Sequence, residues 1–177
     1  MMVALSRGGE TVAAWMLDPL ANRLVLAEQG SGAWEEGRRV QTGVGTHILS
    51  DLRGAVLRRF LPEHIAQHIS AVESQFEVLT AGTRCAGADY PMISRGKMHF
   101  ALYWRTLPWD HAPGVLFLNE AGGKALRLDG TAYIPAEHGR PSLLAAASPC
   151  IWQEVRRTLL PSGLPSGIAG NKASSNL

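Results

Sequence analysis

The spacing of apolar positions changes near residue 45. Before it, short apolar stretches ("MVAL", "ETVAAWML", "RLVLAEQG") alternate with turn signals at Arg7-Gly8-Gly9, Asp18-Pro19 and Ser31-Gly32. Runs this short, separated by turns of this kind, predict an antiparallel meander of roughly four strands over residues 1–45. After it, strand-like and helix-like segments take turns. "HILSDLR" reads as a strand and "PEHIAQHISAVES" as a helix, with Ile65, Ile69 and Val72 on one face and Pro62 near its first turn. "FEVLTAG" is a compact strand, and "AGADYPMISRG" a helix interrupted by Pro91. "KMHFALYWR" alternates imperfectly, as a strand buried on both faces does. The next helix starts at Asp110, carries Ala112, Val115, Leu116 and Asn119 on one face, and stops at Gly122-Gly123; Pro113 is placed in its first turn. "GKALRLDG" and "SLLAAAS" follow as strands and "PCIWQEVRRTLL" as the last helix. The alternation predicts a layered α/β arrangement for residues 46–160. The Pro/Gly/Ser-rich residues 161–177 lack periodicity and are expected to be disordered.

Composition narrows the classes. With 177 residues, 46% hydrophobic and 18% charged, the chain is long enough for one sizeable core and reads as an ordinary globular protein. A formal charge of +2, with scattered arginines, argues against a nucleic-acid partner. No stretch is long and apolar enough to span a membrane. Cys85 and Cys150 are far apart and form no CxxC unit, so free thiols and a cytoplasmic location are the expectation, without zinc. Trp104, Trp109 and Trp152 read as core or interface aromatics, Met92 and Met98 as core filler.

Candidate chemistry concentrates on Asp110, placed directly after a Pro-Trp pair where a helix begins. Alone it reads as a first-turn acid favoured by the helix dipole. The same position also suits a carboxylate that meets a metal or phosphate. His111 beside it reads as a packed or solvated side chain, and Asp18 as a turn residue. Glu120 reads as a structural or solvent-facing acid. Nothing in the sequence brings Asp51 or Asp89 to Asp110.

Three stretches carry a resemblance. "PWDHAPGVLFLNEAGG" resembles the second signature of the inositol monophosphatase family. "GETVAAWMLDPLANRLVLAEQGSGAW" is similar to the family's central meander, and "DGTAYIPAEHGRPSLLAAAS" to its closing segment. The resemblance covers residues 1 to about 160 in order. It implies an α+β fold, the layered αβαβα-type sandwich of that family, and Mg²⁺-dependent hydrolysis of a small phosphorylated metabolite of the sugar or inositol phosphate class. It also implies that Asp110 is a metal ligand. The family's Gly-Ser-x-Ala loop matches Arg84-Cys85-Ala86-Gly87, so Cys85, Ala86 and Gly87 become candidate substrate contacts. The acid that grips inositol in some members falls at Tyr103, which argues against myo-inositol phosphate. A homodimer is a further expectation.

One part of the pattern is missing. The family's first signature, D-P-[IL]-D-G-T, does not occur; Asp18-Pro19-Leu20 matches its front, but Ala21 and Asn22 replace the rest. One aspartate cannot hold two dications, because stripping water from Mg²⁺ demands several converging carboxylates. The expectation is therefore a fold incomplete at its N-terminus, begun inside a strand at "MMVAL" downstream of the natural start, and inactive as this chain. The alternative is a non-catalytic module for binding or assembly.

Overall fold

The structure, a computed structural model, describes residues 1–43, 48–137 and 139–161. Its first part is a meander: β1 (Met2–Arg7), β2 (Glu10–Asp18), β3 (Arg23–Glu28), β4 (Gly32–Glu35) and β5 (Arg38–Val40) pair antiparallel in chain order. That is one strand more than the sequence rhythm predicts, because Glu36-Gly37 makes a second two-residue hairpin. Both residues have positive φ (48° and 74°), as Gly8-Gly9 do in the first hairpin (63° and 89°). Such turns match the strand twist.

The second part is β6 (Arg53–Val56), α1 (Glu63–Val72), β7 (Val78–Thr80), α2 (Ala86–Ser94), β8 (Phe100–Tyr103), α3 (Pro108–Glu120), β9 (Lys124–Leu126), β10 (Leu143–Ala146) and α4 (Pro149–Leu159). Its sheet runs β7-β6-β8-β10-β9, parallel among β7, β6 and β8 and antiparallel at β10. The expected strand "HILSDLR" is corrected. Leu49–Asp51 form a short 3-10 turn and pairing starts only at Arg53. His47 lies outside the described residues, as does the tail beyond Pro161.

The layers are the first sheet, then α2 and α3, then the second sheet, then α1 and α4. This βαβα stacking makes α3 a middle-layer helix. It packs on β1–β4 on one side and on α2 and β9 on the other, and His111 to Leu118 are all buried. The expected single apolar face is thus corrected: a helix between two sheets is apolar all round. Pro113 is also not in the first turn, since the helix starts at Pro108; Pro113 sits one turn further in. Gly114 permits the tight middle layer. A methyl group there would lie 2.0 Å from the Tyr90 ring of α2. Among the described residues no helix is long and apolar enough to cross a membrane.

Candidate functional site

Asp110 is the third residue of α3, in its first turn, as the sequence indicates. Pro108 at the helix start needs no N–H partner there, and the Asp110 and His111 amides close on the Leu107 carbonyl. The Asp110 carboxylate is half-buried and accepts no hydrogen bond from any described residue. It faces the positive end of the helix dipole, an arrangement that tolerates further negative charge nearby.

Beneath it lies a polar cluster that sequence reading does not assemble. His111 is 3% exposed, and its Nδ1 lies 3.0 Å from the Tyr90 hydroxyl. Its ring packs 4.6 Å from Tyr103 and 6.5 Å from Tyr133, centroid to centroid. Burial pushes the His111 pKa down to about 4, with a backbone hydrogen bond at Arg105 opposing it. The imidazole is therefore neutral at pH 7. Tyr90 is pushed well above its ordinary value, first by burial and then by Tyr133, Asp89 and Asp110. Burial raises Tyr133 to about 12, with Arg127 opposing and Asp110 assisting. These phenols stay protonated and serve as hydrogen-bond donors.

Asp89 of α2 is fully buried and fully engaged. It accepts from the Thr83 amide (3.2 Å), the Thr83 hydroxyl (2.8 Å) and the Tyr103 hydroxyl (3.0 Å). Both Asp89 and Asp110 act on Tyr90, so the fold brings these two acids to one neighbourhood. Asp89 spends its lone pairs on the loop before α2 and fixes Tyr103 in place. Its only sequence signal is position: it lies four residues after Cys85, on the helix that the candidate loop begins. Asp51 is exposed, in the short turn before β6.

The Arg84-Cys85-Ala86-Gly87 loop forms the start of α2, with Arg84 in a left-handed conformation (φ 61°) and Cys85 exposed. Gly87 is not open. A methyl group there would meet the Met2 Sδ at 2.9 Å, so the Met2 side chain packs against it. A cavity of about 320 Å³ opens beside it, between Met2, Met16, Cys85 and Met92. Glu120 is structural: its two carboxylate oxygens accept from the Gly30 (2.8 Å) and Gly32 (2.9 Å) amides, tying the end of α3 to the β3–β4 turn. Asp18 caps its own turn through the Leu20 and Ala21 amides. Trp152 is buried and donates to the Leu144 carbonyl, whereas Trp109 is 67% exposed and belongs to no core.

This donor set does not fit a pair of Mg²⁺ ions. Among the described residues, no three His, Cys, Asp or Glu side chains converge on one point. One half-exposed carboxylate cannot replace the oxygen shell of a hard dication.

Residues 1–161 match the model of the inositol monophosphatase family. An inositol-1-monophosphatase of Rhizobium meliloti is 33% identical over 137 residues, covering 72% of this chain and 49% of that protein. The Nus factor SuhB of Vibrio cholerae is 30% identical over 131 residues, covering 68% and 46%. Among solved structures, the extragenic suppressor protein suhB of Bartonella henselae superposes with a TM-score of 0.77 at 25% identity, covering 92% of this chain and 62% of that one. An inositol monophosphatase of Zymomonas mobilis gives 0.77 at 16% identity, a likeness of fold alone. The chain spans about half the length of the curated relatives it matches. Matched along nearly all its described residues, it belongs to the inositol monophosphatase family.

Proposed function

We propose that this chain carries the Asp110 side of a phosphate-monoester hydrolase site of the sugar or inositol phosphate class. We further propose that these 177 residues alone turn over such esters little or not at all. One observation carries the reading: Asp110 is a half-buried carboxylate at a helix N-terminus, with no hydrogen-bond partner among the described residues to explain its place. Cys85 and Ala86 lie on the neighbouring helix start and form the wall that a small phosphorylated metabolite would meet. The neutral His111 and the protonated Tyr90 and Tyr103 hold that wall and carry no charge of their own. Mg²⁺ belongs to the family's chemistry, but among the described residues no further carboxylates converge with Asp110 to hold it.

The test is turnover by the purified chain on several sugar and inositol phosphates, with and without Mg²⁺. Turnover near background in both conditions is expected. Robust hydrolysis abolished by chelator would show that acids other than Asp110 complete a metal site. A second reading, a non-catalytic binding or assembly module, draws on the apolar outer face of the first sheet. It gains if the chain forms a stable complex while remaining inactive.

A further inference from the structure

The second sheet is wound both ways from its middle. β6 leads through α1 to β7, and β7 leads back through α2 to β8 on the other side of β6. α1 packs on α4 and α2 on α3, so these connections lie on opposite faces of the sheet. The winding reverses between β6 and β8, which run parallel with Val56 opposite Leu102. At such a point the loops leaving the two strands part, and open α/β sheets bind ligands in the crevice. Here the crevice is a cleft of about 300 Å³. Phe60 comes from the loop after β6; Trp104, Arg105 and Thr106 come from the loop after β8; Arg140 and Pro141 close it.

Its charge is unbalanced. The guanidinium carbons of Arg105 and Arg59 lie 4.5 Å and 5.3 Å from the centroid of the same Phe60 ring. Among the described residues neither pairs with a carboxylate. Their neighbours do: Arg58 with Glu73, and Arg140 with Asp129 and Glu137. The opposite wall is fixed from below by the buried Arg127, which donates to the Arg140 carbonyl (2.7 Å) and the Thr106 hydroxyl (3.4 Å). Two like charges held about one ring repel each other, and an anion between them reverses the sign. Guanidinium forks match phosphate oxygens, and two positive charges match the nearly doubly charged phosphate monoester at neutral pH. Trp104 offers flat apolar surface to the organic part of such a ligand.

We infer that this cleft binds a small phosphate monoester through Arg105, which lines it, and Arg59, beside it at the Phe60 ring, with its organic group against Trp104. The experiment is calorimetric titration of the full chain, without divalent metal and at low salt, with phenyl phosphate and with inorganic phosphate. One site is expected, tighter for phenyl phosphate because only it reaches the aromatic wall. Arg105→Gln and Arg59→Gln should each weaken phenyl phosphate about tenfold, while Lys97→Gln, an exposed cation before β8 at the far end of that strand, leaves it unchanged. Both arginines are exposed, so the variants keep the core, and thermal unfolding checks this. If Arg105→Gln fails to fold, Arg59→Gln decides. Equal affinity in the arginine variants, an equal loss of binding in Lys97→Gln, or no binding of either probe overturns the inference. Equal affinity for the two probes removes the aromatic wall from it.

Discussion

In the second sheet, β8 and β10 are buried at every position, because α2 and α3 cover one face and α1 and α4 the other. In the first sheet, only the face toward α3 is covered by the described residues. Ala14, Met16, Val25, Ala27 and Ala33 point there and are buried. The opposite face is also apolar: the cross-strand row Val3, Trp15, Leu26, Trp34 runs over it, with Leu5, Leu17 and Leu24 alongside. Val3 is 47% exposed and Leu5 55%. An antiparallel sheet that faces water normally alternates apolar and polar residues. This one does not, so its outer face is built like the interior of a layered protein, and the described residues do not cover it as they cover the second sheet. The difference teaches where this molecule keeps its stability and where it invites association.

The comparison breaks most sharply in the middle layer. Gly114→Ala places a methyl group 2.0 Å from the Tyr90 ring, which is buried between α2, α3 and β8 and cannot swing away. A loss of about 3 kcal/mol is expected by denaturant unfolding. Leu5→Ala, on the uncovered face, should change stability by about 0.5 kcal/mol or less. Similar losses at both positions would mean that the outer face is packed after all.

Acid should act on the same middle layer. The His111 pKa is about 4 in the folded protein and about 6.5 when unfolded. A histidine with a depressed pKa leaves stability intact above 6.5 and costs stability as pH falls from 6.5 toward 4, where the loss levels off at about 3 kcal/mol. Burial and Arg53 also lower the His99 pKa, which adds in the same direction. Unfolding midpoints measured across this window should fall with pH, and His111→Phe should flatten the fall. An unchanged slope in that variant would show that His111 is not the group responsible.

Much of this was legible in the sequence, for physical reasons that differ by element. The hairpin glycines and the Pro-Trp-Asp helix start act locally, so the meander and the place of Asp110 could be read directly. The Asp110 helix could not be fully read, because the apolar residues around its whole circumference make sense only once two sheets enclose it. The Asp89–Thr83–Tyr103 bonds and the Arg59–Phe60–Arg105 stack were out of reach, since each depends on where separate strands end. The packing of Met2 against Gly87 was hidden for the same reason: the two lie in separate elements far apart in the chain.

Two smaller changes sharpen the contrast. Glu120→Ala leaves the Gly30 and Gly32 amides without their carboxylate and unties the first sheet from α3, at about 1 kcal/mol because the turn is exposed and water replaces part of the bond. Hydrogen exchange should then speed up in the β3–β4 turn but not in β10. Trp15→Lys should alter the unfolding free energy by only about 0.5 kcal/mol. It should, however, raise solubility and reduce self-association in sedimentation, which an inert face would not do.

The central proposal is that the described residues present Asp110 without the further carboxylates needed to hold Mg²⁺. Calorimetric titration of the chain with Mg²⁺, beside Asp110→Asn, tests it most directly. The account predicts no saturable binding up to about 10 mM and indistinguishable traces for the two proteins, since one carboxylate does not repay the ion's dehydration. Stoichiometric binding of one or two ions below a millimolar, lost in Asp110→Asn, would contradict it.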